Sequence, residues 1–282
     1  MSEPENDDET MIDDPEDDDS GRIYDPDDEH SFPDQRVNEV LEALSEDEEI
    51  RTYLEAQNVN PVKRKRYNDH GTKHIEIVRN RALCLYDLLK AGGVEFNGAR
   101  EQGLDEADEA VIIAIAAQLH DIGHVVHRDD HAYYSIPLAS DVLDRILPQF
   151  YDTADCVRMK GEILHAILCH HTAETPLTLE AGVLRVADGL DMEHGRSRIP
   201  YERGGRGINT ISSQAITNVS LQPGDQTPVL VEITMTDAAG VYQVDVLLKE
   251  KLQDSGLEDY VRIVALSTGD DGDESLVERI EL

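Results

Sequence analysis

The chain has 282 residues with 60 acidic and 25 basic side chains, a formal net charge of −35, and 39% of its residues are hydrophobic. That much apolar material builds one generous domain or a main domain with a smaller companion, while the shortage of cations excludes a general nucleic-acid coat protein. The longest apolar run, Ala110 to Ala117, is far short of the roughly 20 residues that span a bilayer, and the acidic start is the reverse of a signal peptide, so a cytoplasmic protein without membrane contact is expected.

Residues 1–34 are rich in Asp, Glu and Pro, with 15 acids and only Arg22 as a base in the first 30. Such a segment cannot offset the entropy of ordering and is expected to be a disordered acidic tail. The acidity continues beyond it. Asp exceeds Glu by 33 to 27 and Arg exceeds Lys by 18 to 7, a balance expected of a halophilic protein, since at about 1 M salt a Debye length near 3 Å mutes surface repulsion. From Arg36 the spacing of Val37, Val40, Leu41 and Leu44 predicts a helix. A second starts at Asp47 and ends in the turn-forming Asn58-Val59-Asn60-Pro61.

Five more helices are predicted: His74 to Ala91, stopped by Gly92-Gly93; Asp105 to Ile122, apolar enough to be the central buried helix; His131 to Leu147; Asp152 to His171; and Leu179 to Met192. Pro148 and Pro176 punctuate the last three. No strand is predicted between residues 36 and 200. After Gly204-Gly205-Arg206-Gly207 the pattern changes. Ile208 to Leu221 reads as a strand, and Val229, Val231, Ile233 and Met235 alternate with Leu230, Glu232, Thr234 and Thr236. Val241 to Leu252 reads as a helix and Tyr260 to Leu266 as a strand. The predicted fold is therefore mainly α: a helical bundle at 35–205 followed by a small α+β (ββαβ) domain at 206–282. Cys84, Cys156 and Cys169 lack metal-type spacing and read as free thiols of a reducing compartment.

Ten of the eleven histidines fall between His70 and His194, inside the helical region. The order His74, His120-Asp121, His131, His170-His171 and Asp188 offers imidazole nitrogens and carboxylate oxygens without thiolates. Such a set suits a divalent transition metal and leaves room for water. Neighbouring ligands such as His120 and Asp121 project about 100° apart on a helix, so they can straddle one ion or bridge two.

Over residues 67–200 the chain resembles the HD superfamily of metal-dependent phosphohydrolases. The matching text is His74-Ile-Glu-Ile-Val78, Leu119-His120-Asp121-Ile122-Gly123 and Ala187-Asp188-Gly189-Leu190-Asp191. The resemblance implies a basic ligand set of His74, His120, Asp121 and Asp188. His131, His170 and His171 match the extra histidines of two-metal members such as the HD-GYP phosphodiesterases, and ribonuclease Y is similar over the same stretch. The implied cofactor is a divalent ion (Mn, Fe, Mg, Ni or Zn), two per chain, with Asp121 bridging. The Gly-Tyr-Pro motif is missing after His171, which argues against cyclic di-GMP, and His124 stands where a Lys is common. The ββαβ tail resembles that of archaeal predicted HD hydrolases.

Other histidines read differently. His165 and His194 read as structural and exposed, and His70, His124 and His127 are open between ligand support, substrate contact and neither. Cys169 reads as packed rather than ligating. Cations cluster at Lys63 to Arg66, Lys73, Arg79 and Arg81, and again at Arg185, Arg196, Arg198, Arg203 and Arg206, which together hold 12 of the 25. In so acidic a chain they read as the border of an anionic pocket, with Arg196 and Arg198 gripping phosphate beside the catalytic pair His120 and Asp121. The expected activity is hydrolysis of a small phosphorylated substrate, a nucleotide or cyclic nucleotide. The alternatives are an RNA-cleaving HD nuclease and a non-catalytic metal- or nucleotide-binding sensor. The ββαβ domain is expected to join two chains into a homodimer rather than touch the metals, the alternative being that it packs on the helical domain of its own chain.

Overall fold

The computed structural model describes residues 34–65, 71–193, 208–267 and 279–281. The predicted acidic tail lies outside them, apart from Asp34, as do the Gly-rich junction and the predicted boundary at 205/206. Among the described residues the helical part contains α1 (Gln35–Glu46), α2 (Glu48–Ala56), α3 (Thr72–Ala91), α4 (Gly98–Gln102), α5 (Glu106–Leu119), α6 (His131–Ile146), α7 (Thr153–Cys169) and α8 (Leu179–Leu190). Local chemistry sets their starts: Asp47, Asp105, Asp152 and Thr178 each accept backbone N–H groups of the following first turn, satisfying donors that have no partner inside the helix. At α5 the cap is reciprocal, with the Asp108 carboxylate accepting the Asp105 N–H at 2.9 Å. Gly93 ends α3 with φ +79°, a left-handed conformation that costs glycine nothing.

Helix α5 is the central helix: every residue from Asp108 to Leu119 is buried. Around it pack α1, α3, α7 and α8, with α6 lying against α7. Among the described residues no helix is long and apolar enough to cross a membrane.

The C-terminal part holds α9 (Ile208–Ala215), β1 (Ile216–Pro223), β2 (Val229–Met235), a π-helical segment Gln243–Leu248 running into α10 (Lys249–Leu252), β3 (Val261–Ser267) and β4 (Arg279–Glu281). The sheet order is β1-β2-β3-β4. The β1–β2 and β3–β4 pairs are antiparallel, with Val219 opposite Ile233 and Val264 opposite Glu281; β2–β3 is parallel, with Ile233 opposite Ala265. A parallel pair needs a long crossover, and the α10 segment supplies it.

Two expectations need correction here. The strand expected from Ile208 is a helix up to Ala215. Ile208 and Ile211 face outward, while the small Ser212, Ser213 and Ala215 are buried. Ser212 Oγ donates to Ile208 O and accepts from Gln243 Nε2, both at 2.7 Å. The sheet also has a fourth strand, so short that no periodicity marks it.

The crossover is seated on α8 because glycines let it in. A Cβ at Gly182 would lie 2.1 Å from Ser255 O, and one at Gly189 would lie 2.8 Å from Lys251 Cδ. Val229, Val231, Ile233 and Met235 join Val244, Leu248 and the helical-part residues in one continuous core. The apolar sheet face is thus covered by its own chain. Glu193 Oε1 accepts the Val219 N–H at 3.0 Å, closing part of the outer edge of β1.

Candidate metal centre

Five helix ends converge on one point. His74 lies in the first turn of α3 and His131 opens α6, while His120 and His170 follow the last residues of α5 and α7 and Asp188 lies in the last turn of α8. Asp121 follows His120 at the entry to a 3-10 turn, Ile122–Val125.

The Asp121 carboxylate is the centre of the arrangement. Its Oδ2 lies 3.3 Å from His74 Nε2 and 3.6 Å from His120 Nε2; its Oδ1 lies 3.1 Å from His131 Nε2 and 3.7 Å from His170 Nε2. Asp188 Oδ1 joins the first set, 3.4 Å from His74 Nε2 and 3.9 Å from His120 Nε2. Among the described residues, His74, His120 and Asp121 can hold one metal ion, and Asp121, His131 and His170 another.

The far side of each ring fixes its proton. His120, His131 and His170 place Nδ1 at 2.9, 2.9 and 2.6 Å from the carbonyls of Ala117, Arg128 and Ile167. A carbonyl only accepts, so Nδ1 carries the hydrogen and Nε2 of the neutral ring presents a lone pair. His74 Nδ1 does the same to Asp191 Oδ2 at 2.6 Å, the carboxylate–histidine arrangement that orients a ligand and raises its basicity.

These residues fit a divalent ion. His120 Nε2 is buried with no hydrogen-bond partner, and His131 Nε2 and His170 Nε2 face each other at 3.0 Å. With Nδ1 carrying the hydrogen on both rings, that separation calls for a shared proton or a metal cation between or beside the two Nε2 atoms. The separations are also those of neighbouring ligands around an ion with bonds of about 2 Å. Burial lowers the pKa of His120 and of His124, and drives that of His170 well below the usual imidazole range, which keeps these rings neutral and able to donate. Burial also pulls at His131, but a hydrogen bond from its protonated ring to Asp121 and that carboxylate's charge outweigh it, and the net shift is upward.

Not every predicted residue joins the cluster. His171 is exposed at the rim, its ring centre 5.6 Å from that of His131; as the neighbour of His170 it points about 100° away. In its place stands His124, fully buried, Nε2 3.5 Å from Asp121 Oδ1 and its ring stacked on His131 at 4.1 Å. His127 is exposed and binds the Asp129 backbone, and His165 accepts the Leu177 N–H at 3.0 Å. Cys169 sits apart from the cluster, its thiol pushed up to about 11 by burial.

The expected cationic border is corrected in part. Arg79 donates to Gln118 Oε1, Arg81 to Leu190 O and Glu193, and Arg185 to the carbonyls of Glu174 and Glu250. These arginines tie elements together instead of bordering the site. His70, His194, Arg196, Arg198, Arg203 and Arg206 lie outside the described residues.

The expectation that the C-terminal domain stays clear of the metal residues is overturned. Lys251 Nζ forms an ion pair with Asp188 Oδ2 and donates to His170 O at 3.0 Å. A cleft of about 570 Å³ runs along the join, lined by Asp121, His131, His170 and Asp188 on one side and by Gln243 and Lys251 on the other. Sequence reasoning missed Asp191 and Lys251 as site residues. Asp191 lay within the quoted Ala187-to-Asp191 stretch, but nothing local marked Lys251.

This centre, with its His-Asp pair at the end of a buried helix, defines a class: the chain belongs to the HD-domain family, whose profile matches residues 96–193. His74 lies before that stretch and is added to the centre by α3. Among relatives, the uncharacterized protein MJ1020 of Methanocaldococcus jannaschii is 37% identical over 226 residues, which is 80% of this chain and 87% of that protein.

Proposed function

We propose that the chain is a two-metal phosphohydrolase that cleaves a phosphoester of a small substrate, a nucleotide or cyclic nucleotide. The observation that carries this reading is Asp121, whose two oxygens face different histidine sets, so that one carboxylate could serve two ions. His74, His120, Asp121 and Asp188 would hold one ion, and Asp121, His131 and His170 the other. Divalent ions, when bound there, would supply a water activated near neutral pH and would neutralise charge on the phosphoryl oxygens.

The chain's own groups do the positioning. Asp191 and the three carbonyls lock the rings, and the buried walls exclude bulk water from the Asp121 side. In the reaction the water oxygen bonds to phosphorus, the bond to the leaving oxygen breaks, and the proton lost by water balances the one the leaving group takes. A confined cleft along the α8–α10 join favours a small substrate over a long RNA track. The setting is a salt-rich cytoplasm.

The test is a panel of phosphomonoesters, phosphodiesters and a long RNA, assayed with Mn²⁺ at high KCl. Turnover of a mononucleotide or cyclic nucleotide in preference to RNA is expected. Faster cleavage of long RNA would favour the nuclease, and metal binding without any turnover would favour the sensor.

A further inference from the structure

Among the described residues, the cleft beside the centre has more acidic than basic side chains. Among the described residues that line it six are carboxylates, and Arg128 and Lys251 are the Lys and Arg side chains. Arg128 stands at the outer turn before α6, next to Asp129 and Asp130. Lys251 reaches the centre itself. Its stem crosses the bare backbone of Gly189, and its ammonium rests on Asp188 Oδ2 and His170 O. Asp188 is thereby divided: Oδ1 faces His74 and His120, and Oδ2 faces Lys251.

An ammonium has three hydrogens. Two are used by Asp188 and His170, and the side chain keeps 18% of its surface exposed while lining the cleft. On these grounds we propose that Lys251 is a catalytic residue supplied by the C-terminal unit, its third N–H binding a non-bridging oxygen of the substrate's phosphoryl group. The inference rests on the phosphohydrolase reading above and extends it to a residue outside the helical part.

The physical case is one of pre-organisation. A group beside Asp188 Oδ1 is also beside the Nζ that holds Oδ2, so an anion seated at the first set of ligands meets the ammonium without rearrangement. Two fixed acceptors hold the lysine in place, so little entropy is lost when the third bond forms. A charge-assisted bond of this kind changes affinity by about tenfold to a hundredfold.

The test uses the full chain loaded with Mn²⁺ and inorganic phosphate as the ligand, by titration calorimetry at one fixed salt concentration, with metal content measured on the same samples. Lys251→Met keeps the stem over Gly189 and removes the charge. It should retain the parent's Mn²⁺ content and bind phosphate about tenfold to a hundredfold more weakly. Should that variant fail to fold, Lys251→Gln is read in the same way. Phosphate binding equal to the parent's overturns the proposal and leaves the phosphohydrolase reading standing. Loss of Mn²⁺ along with phosphate also overturns it, because Lys251 would then only hold Asp188. A parent protein that binds Mn²⁺ but no phosphate also overturns the Lys251 proposal, while the phosphohydrolase reading stands or falls by the substrate panel.

Discussion

In the helical part, the side chains of the metal centre come from five helix ends packed around α5, each ring locked by a carbonyl three residues back or by Asp191. In the C-terminal part, Lys251 reaches the same centre from a short helix seated on α8 by close backbone approach, by Arg185 on Glu250 O and by Leu248 and Leu252 in the core. The first arrangement is local and redundant. The second depends on one tertiary contact surface, so the two should respond very differently to substitution.

The largest effect is expected at the shared carboxylate. Mn²⁺ at a hundred times its dissociation constant should stabilise the parent by about 2.7 kcal/mol if one site fills, and by more if two do. Asp121→Ala should lose turnover and most of that stabilisation, read by melting with and without chelator. Parental metal content in the variant would show that the bridge is misassigned.

Next comes the join. Gly182→Ala drives a Cβ into Ser255 O, a backbone atom that cannot swing aside, and should cost about 1–3 kcal/mol by overpacking. Its Mn²⁺ stoichiometry should be unchanged, because every nitrogen of the centre belongs to the helical part. A melting temperature equal to the parent's would mean that the seat on α8 is looser than it looks.

A third contrast separates the paired histidines. His170→Ala removes a buried donor and should empty its site. His171→Ala should change Mn²⁺ affinity by less than about tenfold, below the range seen for groups that support a ligand. Equal losses would bring His171 back as a ligand.

The smallest effect belongs to the surface. Arg145 chelates Asp47 and Glu49, and its hydrogen bond is the main influence on Asp47, holding its carboxyl below the usual range against the opposing pull of burial. A depressed carboxylate stabilises the fold above its unfolded pKa, and that contribution is lost as pH falls through the folded value. Arg145→Gln should therefore cost less than about 1 kcal/mol at pH 7, and the difference should vanish in strong acid. A gap that persists there would point to packing by the arginine stem.

Much of the helical part was readable because its signals are local. Asp47, Asp105 and Asp152 cap the helices they were expected to open, and Gly93 ends α3. The five chemistry-bearing segments carry their residues at helix ends, where a short motif is enough to mark them. What was not readable depends on long-range packing. The segment from Ile208 reads as a strand because the sequence does not show which side α9 buries. His124 outranks His171 because of the turn after Asp121, which no spacing rule separates from the paired alternative. Lys251 is 63 residues from Asp188 in the chain, brought near by a parallel β2–β3 crossover landing on Gly182 and Gly189. The packing of the sheet was also out of reach: its Val229, Val231, Ile233 and Met235 share one core with Val244 and Leu248 of the same chain.

The central proposal is that Asp121 serves two divalent ions. The most direct test is anomalous diffraction from crystals of the full chain grown with Mn²⁺. The account predicts two peaks, one among His74, His120, Asp121 and Asp188 and one among Asp121, His131 and His170, with a different Asp121 oxygen on each. A single peak, or ions bound away from Asp121, would contradict it.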